Sequence, residues 1–507
     1  MEVSLETDLL KKQIINELKK LDIKANQLED SDSILLDRLI EQCLSHGYTE
    51  LLIKLIIHKC TYLSDIGDFD KAFSLINDAI KLSKKYNSVN LMGDSTLKSG
   101  VLYFRQGNFE KALLNFFETL ELYTRTDNTE KIGIATRNIG VVYQRSGDYL
   151  KSFQYLQNAL TLAKEHKYKE LQASTLSWLG ILESYYDNYE DAINYYIEST
   201  NLFEELQDKY NIAVNLNSIG LAYTIYNAEL AHEYLKQAED IARKDNNYFV
   251  LADVLHNYGL TFSEQKEYDK ALEKYFESIE CRKKAMSNDK LSHTYTNIGN
   301  IYCIQGKYDL GLEYLNKGLK IREEANYQIR MVDSYYDIAF CYLDSKQYDK
   351  VIEMCNKALE LAVQFNDSWQ LSNIYELYYL YHKELGNFAK AYEFYTLYYD
   401  EKAKTKAEKT YETLILMQKK YEIASIERAA NISRQNETNK GSLAMALTAN
   451  HEINQPLMIL QGNLDLLQTK LEANKNESYQ PIVDKTQGLI NDINKVLDDY
   501  KSYVEDL

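Results

Sequence analysis

The chain repeats itself about every forty residues, and this periodicity constrains its fold more than any other feature. The stretch "TNIGNIYCIQGKYDLGLEYLNKGL" (296–319) has relatives in "KSGVLYFRQGNFEKALLNFFETL" (98–120), "RNIGVVYQRSGDYLKSFQYLQNAL" (137–160) and "HNYGLTFSEQKEYDKALEKYFESI" (256–279). The position of Ala72 recurs as Ala112, Ser152, Ala192, Ala231, Ala271, Gly311, Val351 and Ala391, so nine units are visible, one of them shortened by a residue in the turn at "IYNAEL". In most units a small residue (Gly100, Gly140, Gly180, Gly220, Gly259, Gly299, Ala339) comes first. An aromatic follows three residues later in six of these units (Tyr103, Tyr143, Tyr223, Phe262, Tyr302, Tyr342), then a turn, then a second aromatic in the Phe109 and Tyr149 register. Such spacing predicts two antiparallel helices per unit, with the small residue admitting the neighbouring helix and the aromatic a turn away filling the space beside it. Stacked units then bury a continuous core. An all-α superhelix follows.

That pattern resembles the tetratricopeptide repeat, whose consensus is nearly reproduced by Asn297, Ile298, Gly299, Asn300, Tyr302, Gly306 and Tyr308. The units are longer than the common ~34-residue form and lack its closing proline. The resemblance implies an array over residues 53–400 that binds a peptide or protein on its concave face, lined mainly by the first helix of each pair. Asn138, Asn257, Asn297 and Asn300 fall where such arrays contact ligand backbone, although asparagine is also consensus there. Residues 1–52 are expected to form a helical cap, and 401–440 a helical connector.

The last stretch has a different rhythm. Leu443, Ala446, Asn450, Ile453, Leu457, Leu460, Leu464, Leu467 and Leu471 alternate steps of three and four, the seam of a bundle helix. After a polar break, Pro481 suits the first turn of a second helix, in which Ile482, Thr486, Leu489, Ile493, Val496 and Tyr500 repeat the spacing. A lone hairpin over 441–507 would leave this broad apolar surface wet, so pairing with a second copy into a four-helix bundle is expected. His451 lies one residue past a seam position and so points to solvent, with Gln455 one turn further and Pro456 bending the helix there.

"HEINQPL" (451–457) resembles the phosphoacceptor box of sensor histidine kinases. By that resemblance His451 would accept a phosphoryl group, Glu452 would orient the ring and take its proton, and Gln455 could position water for dephosphorylation. The partner implied is a response-regulator receiver domain bearing an acceptor aspartate. ATP and magnesium would come only from a separate or continuing kinase domain, since Gly386, Gly441, Gly462 and Gly488 form no phosphate-cradling cluster, and no cofactor is expected in this chain. A zinc-protease reading of "HEINQ" fails because Gln455 stands where the second histidine is needed. Two other readings remain open: a binding module that dimerises through the hairpin or sequesters a response regulator, and a scaffold with a relic box.

The net charge of −18 argues against nucleic acid or an anionic membrane as partner. With no apolar run long enough to span a bilayer, a cytoplasmic location is expected. Six scattered cysteines (Cys43, Cys60, Cys281, Cys303, Cys341, Cys355) read as buried, reduced residues rather than metal ligands, and no metal site is expected. The other seven histidines read as structural.

Overall fold

A computed structural model describes residues 2–23, 28, 30–285, 290–325, 327–365, 367–436, 487, 488 and 491. Every regular element among them is a helix. The chain divides into two compact units, Met1–Leu291 and Ser292–Leu507. In the first, α1 (Glu2–Ile23) and α2 (Asp30–His46) precede the pairs α3/α4 (Thr49–Asp65, Phe69–Lys85), α5/α6 (Val89–Arg105, Phe109–Thr124) and α7/α8 (Thr129–Arg145, Tyr149–His166). The pairs α9/α10 (Lys169–Tyr185, Tyr189–Glu205), α11/α12 (Lys209–Tyr223, Ala228–Lys244) and α13/α14 (Tyr248–Glu264, Tyr268–Lys284) complete it. The second unit holds α15/α16 (Leu291–Ile304, Tyr308–Glu324), α17/α18 (Gln328–Asp344, Tyr348–Phe365) and α19/α20 (Ser368–Glu384, Phe388–Asn436). Helix α20 runs unbroken through residue 400.

The turn inside each pair is written in the sequence. In "GDF", "GNF" and "GDY", Gly67, Gly107 and Gly147 take φ of +82°, +82° and +85°, a region that side chains resist. The next residue, Asp68, Asn108 or Asp148, then caps the second helix by accepting from the backbone N–H of Lys71, Lys111 or Lys151.

The small residue works as expected, but its filler comes from elsewhere. A Cβ at Gly100, Gly180 or Gly259 would stand 2.6, 2.6 or 2.5 Å from the ring of Phe116, Tyr196 or Tyr275 on the second helix of the pair. At the intervening Gly140, Gly220 and Gly299 the same place is taken by Leu156, Leu235 and Leu315. Aromatic and leucine therefore alternate from repeat to repeat. The aromatic three residues after the glycine lies at the edge of the pair instead, under a lysine: Lys111 over Tyr103 at 5.3 Å, Lys151 over Tyr143 at 5.1 Å, Lys270 over Phe262 at 5.4 Å and Lys350 over Tyr342 at 5.0 Å.

One cysteine assignment is corrected. Cys303 and Cys341, read from the sequence as separate reduced thiols, form a disulfide between α15 and α17, with Cα atoms 5.8 Å apart. Stacking places residues roughly one repeat apart side by side, which linear spacing hides. Gly311 replaces the usual alanine there because a Cβ would meet the Cys303 Sγ at 2.4 Å. Cys43, Cys60, Cys281 and Cys355 are free and buried, and burial pushes the Cys60 and Cys355 thiols up to about 12.

A candidate ligand-binding inner face

Within each unit, successive first helices pack on one another (α3 on α5, α7 on α9, α11 on α13, α17 on α19), whereas successive second helices do so far less. First helices thus lie on the inside of the curvature and their exposed seam forms an inner face. The seam is polar, and residues one repeat apart are joined along it. In the first unit Lys98 Nζ donates to Thr61 Oγ1 (2.7 Å), Arg137 to Ser174 Oγ (2.7 Å), and Asn257 Nδ2 to Asn217 Oδ1 (2.9 Å). In the second, Asn300 Nδ2 donates to Asp337 Oδ1 (3.2 Å) and Gln370 Nε2 to Asp333 Oδ1 (2.5 Å).

The four asparagines singled out from the sequence fall on this seam, but none stands idle. Asn138 accepts from its neighbour Arg137 at 3.0 Å, Asn257 and Asn300 are committed as above, and Asn297 is engaged as well. Each half-buried amide keeps further donor or acceptor capacity, so a ligand backbone would extend an existing network. His451, Glu452, Gln455 and Pro456 lie outside the described residues.

What the sequence reading passed over is the charge on the seam. The position two residues before the small residue carries Lys98, Asn138, Trp178, Ser218 and Asn257 in the first unit, and Asn297 and Asp337 in the second. Burial, reinforced by Arg105, pulls the Lys98 ammonium down to about 8. Burial likewise pulls the Arg137 guanidinium to about 10, against the opposing pull of Glu170. The phenol of Tyr210, at the start of α11, is raised by burial and feels Asp253, Arg105 and Asp65. Comparing each charged residue with its repeat-register neighbours would have revealed Lys98 and Asp337 in the sequence.

Asp337 is the acidic counterpart. Burial raises its carboxyl to about 7; the Asn300 amide and Arg322 oppose the shift, and Asp333 adds to it. Because the folded value lies above the ordinary one, the folded chain holds the proton that the unfolded chain releases between about pH 4 and pH 7, and stability falls as pH rises through that window. Asp337→Asn keeps an acceptor for Asn300 and removes the titration. Its stability should match the parent at pH 4 and exceed it by on the order of 2 kcal/mol at pH 8, as read by urea unfolding at the two pH values.

A family profile for the tetratricopeptide repeat matches residues 91–165, 131–205, 250–324 and 290–362. Comparison with curated proteins finds no match. Among solved structures, the Rap protein complexed with Competence and Sporulation Factor is 14% identical, with a TM-score of 0.49 over 78% of this chain and 99% of its own. The apo quorum sensor NprR from B. thuringiensis is 16% identical, with a TM-score of 0.46 over 77% of this chain and 99% of its own. Aspartyl phosphate phosphatase F from Bacillus subtilis is 16% identical, with a TM-score of 0.46 over 69% and 93%. These likenesses are too loose to bear on ligands. Among the described residues no helix is long and apolar enough to cross a membrane, and no cluster of metal-ligating side chains occurs. Residues 91–205 and 250–362 are tetratricopeptide repeats, and within each unit the first helices carry a polar seam.

Proposed function

We propose that this chain is a non-enzymatic binding scaffold whose repeat array holds a peptide or protein segment against the seam of its first helices. The observation that carries the reading is the ladder of half-buried amides, hydroxyls and charged groups linking residues one repeat apart, from Lys98–Thr61 to Asn257–Asn217. Such groups satisfy one another without a ligand and retain capacity for an extended backbone. Asn138→Trp tests it, since the next repeat already carries Trp178 at the same register and so accommodates an indole. Peptides selected from a random library against the intact protein should lose binding to this variant while its helical content and melting temperature are kept. Selected peptides that bind it unchanged would place their site elsewhere.

A second reading is favoured by one sequence observation, the box "HEINQPL". In it the hairpin of residues 441–507 pairs with that of a second copy, His451 exchanges a phosphoryl group with a receiver-domain aspartate, Glu452 orients the imidazole, and Gln455 positions water for dephosphorylation. The repeat array would then govern that exchange. Incubation with a phosphorylated receiver domain, or with ATP and a separate kinase fragment, should leave acid-labile phosphate on the chain that His451→Ala abolishes. Label that persists in His451→Ala would remove this reading and leave the scaffold intact.

A further inference from the structure

Within each unit the second helix of a pair packs on the first helix of the next, and at two registers of that interface aromatic rings meet. At the first residue of the second helix, Tyr149 stacks on Tyr185 with centroids 3.6 Å apart, and Tyr348 meets Tyr381 at 6.2 Å. Four residues on, Phe73 meets Tyr103 at 4.6 Å and His232 meets Phe262 at 4.7 Å. On α20 these two registers hold Phe388 and Tyr392, and among the described residues no first helix of a further repeat follows. The two rings are 72% and 70% exposed, and Tyr395 and Tyr399 are 38% and 52% exposed. At the register of Tyr395 every earlier pair has a buried residue, Phe116, Tyr196 and Tyr275 among them. Tyr395 cannot sink in the same way, because Tyr379 stands where most earlier pairs have glycine and its ring lies 5.3 Å away. Steps of four, three and four place all four rings in one stripe of the helix.

We propose that this stripe is a self-association surface, on which α20 of a second copy packs antiparallel about a twofold axis near Tyr395. Such a contact is isologous, so the rings of each copy meet those of the other, as rings meet across the repeat interfaces within the chain. The chain's own residues 437–478 contain no aromatic to offer in their place. Charge sets the direction. Lys402 and Lys406 continue the stripe beyond Tyr399, and parallel pairing would bring each against its own copy. Antiparallel pairing instead sets Lys402 beside Phe388 of the second copy, the lysine-over-ring contact the chain already makes with Lys350 above Tyr342 at 5.0 Å. The exposed parts of the four rings amount to about 500 Å² per copy and about 1,000 Å² for the pair, enough for a specific dimer of roughly micromolar affinity. This surface is separate from the polar seam and from residues 441–507, so the inference stands apart from both functional readings.

The test is sedimentation equilibrium of the full-length protein across the micromolar range. The parent should be dimeric, and Phe388→Glu/Tyr392→Glu should raise the dissociation constant by about tenfold or more. Helical content and melting temperature should be kept, since both side chains already face water. Leu397→Glu, on the opposite side of α20 and 37% exposed, should leave the dimer intact. Lys402→Gln should weaken it by about threefold, through loss of the cation over Phe388. A monomeric parent, a dimer that the double glutamate variant leaves unchanged, or one that Leu397→Glu disrupts equally would each overturn the proposal. Tighter pairing in Lys402→Gln would overturn the antiparallel arrangement.

Discussion

Gly259→Val should destabilise the protein by about 3 kcal/mol, read as a lower urea midpoint and as faster hydrogen exchange confined to α13 and α14. A helix-interior glycine ordinarily costs about 1 kcal/mol relative to alanine, so propensity alone favours substitution. Space decides otherwise. A Cβ at this position would lie 2.5 Å from Tyr275 Cε1 and 2.6 Å from Cδ1, and the Tyr275 ring is 1% exposed, with nowhere to retreat. Gly259→Ala should show the same effect in smaller measure, and valine adds branches that meet the same ring. The chain contains its own control. In the α17/α18 repeat the glycine is replaced by Ala339, and the residue facing that register on the second helix is Cys355, 1% exposed, in place of an aromatic or leucine. Tyr275→Cys alone should cost several kcal/mol by opening a cavity. Combined with Gly259→Ala it should cost less than the two single effects added together, because the new methyl enters the vacated volume.

That pairing shows which parts of the architecture could be read directly. The small residues, the glycine turns and their capping Asp or Asn are local in sequence, and each points to one conformation, so helix pairs and their number were legible. Two things were not. The identity of the filler over each glycine depends on which residue of the second helix faces it, a fact of helix crossing rather than periodicity, and the edge aromatics Tyr103 and Tyr143 were the more conspicuous candidates. The Cys303–Cys341 disulfide was hidden for the same reason: residues on successive first helices touch at a separation of 38, which no local motif announces. At the candidate site the asparagines were visible because they match a consensus. Lys98, Arg137 and Asp337 depart from that consensus and emerge only when the repeats are laid in register and the seam between first helices is known.

The largest electrostatic effect is expected at the far end of the first unit, where Arg282 on α14 is 1% exposed. It donates to Asp253 Oδ1 on α13 at 2.8 Å, and Lys290 reaches the other carboxylate oxygen at 2.6 Å. Burial pushes the Asp253 carboxyl up, but Lys290 and Arg282 together outweigh it and hold the group below the usual carboxylate range. The two cations are not equivalent. Lys290 is half exposed and can return to water, whereas Arg282 cannot, and its Nε and Nη1 already lack acceptors. Asp253→Ala should therefore cost about 3–5 kcal/mol, because it strands a guanidinium in the interior. Arg282→Met should cost far less, since Asp253 keeps Lys290 and an apolar side chain fills the space of an under-satisfied one. The double variant Asp253→Ala/Arg282→Met should recover most of the loss, a coupling measurable by urea unfolding of the four proteins of the cycle. The sign of the pH dependence follows from the same pair. Asp253 has a depressed carboxyl, so its contribution is present above the ordinary carboxylate range and is lost as pH falls through the folded value, and the gap between parent and Asp253→Ala should close on acidification. If Asp253→Ala were as mild as Arg282→Met, the carboxylate would not be what makes the buried guanidinium tolerable.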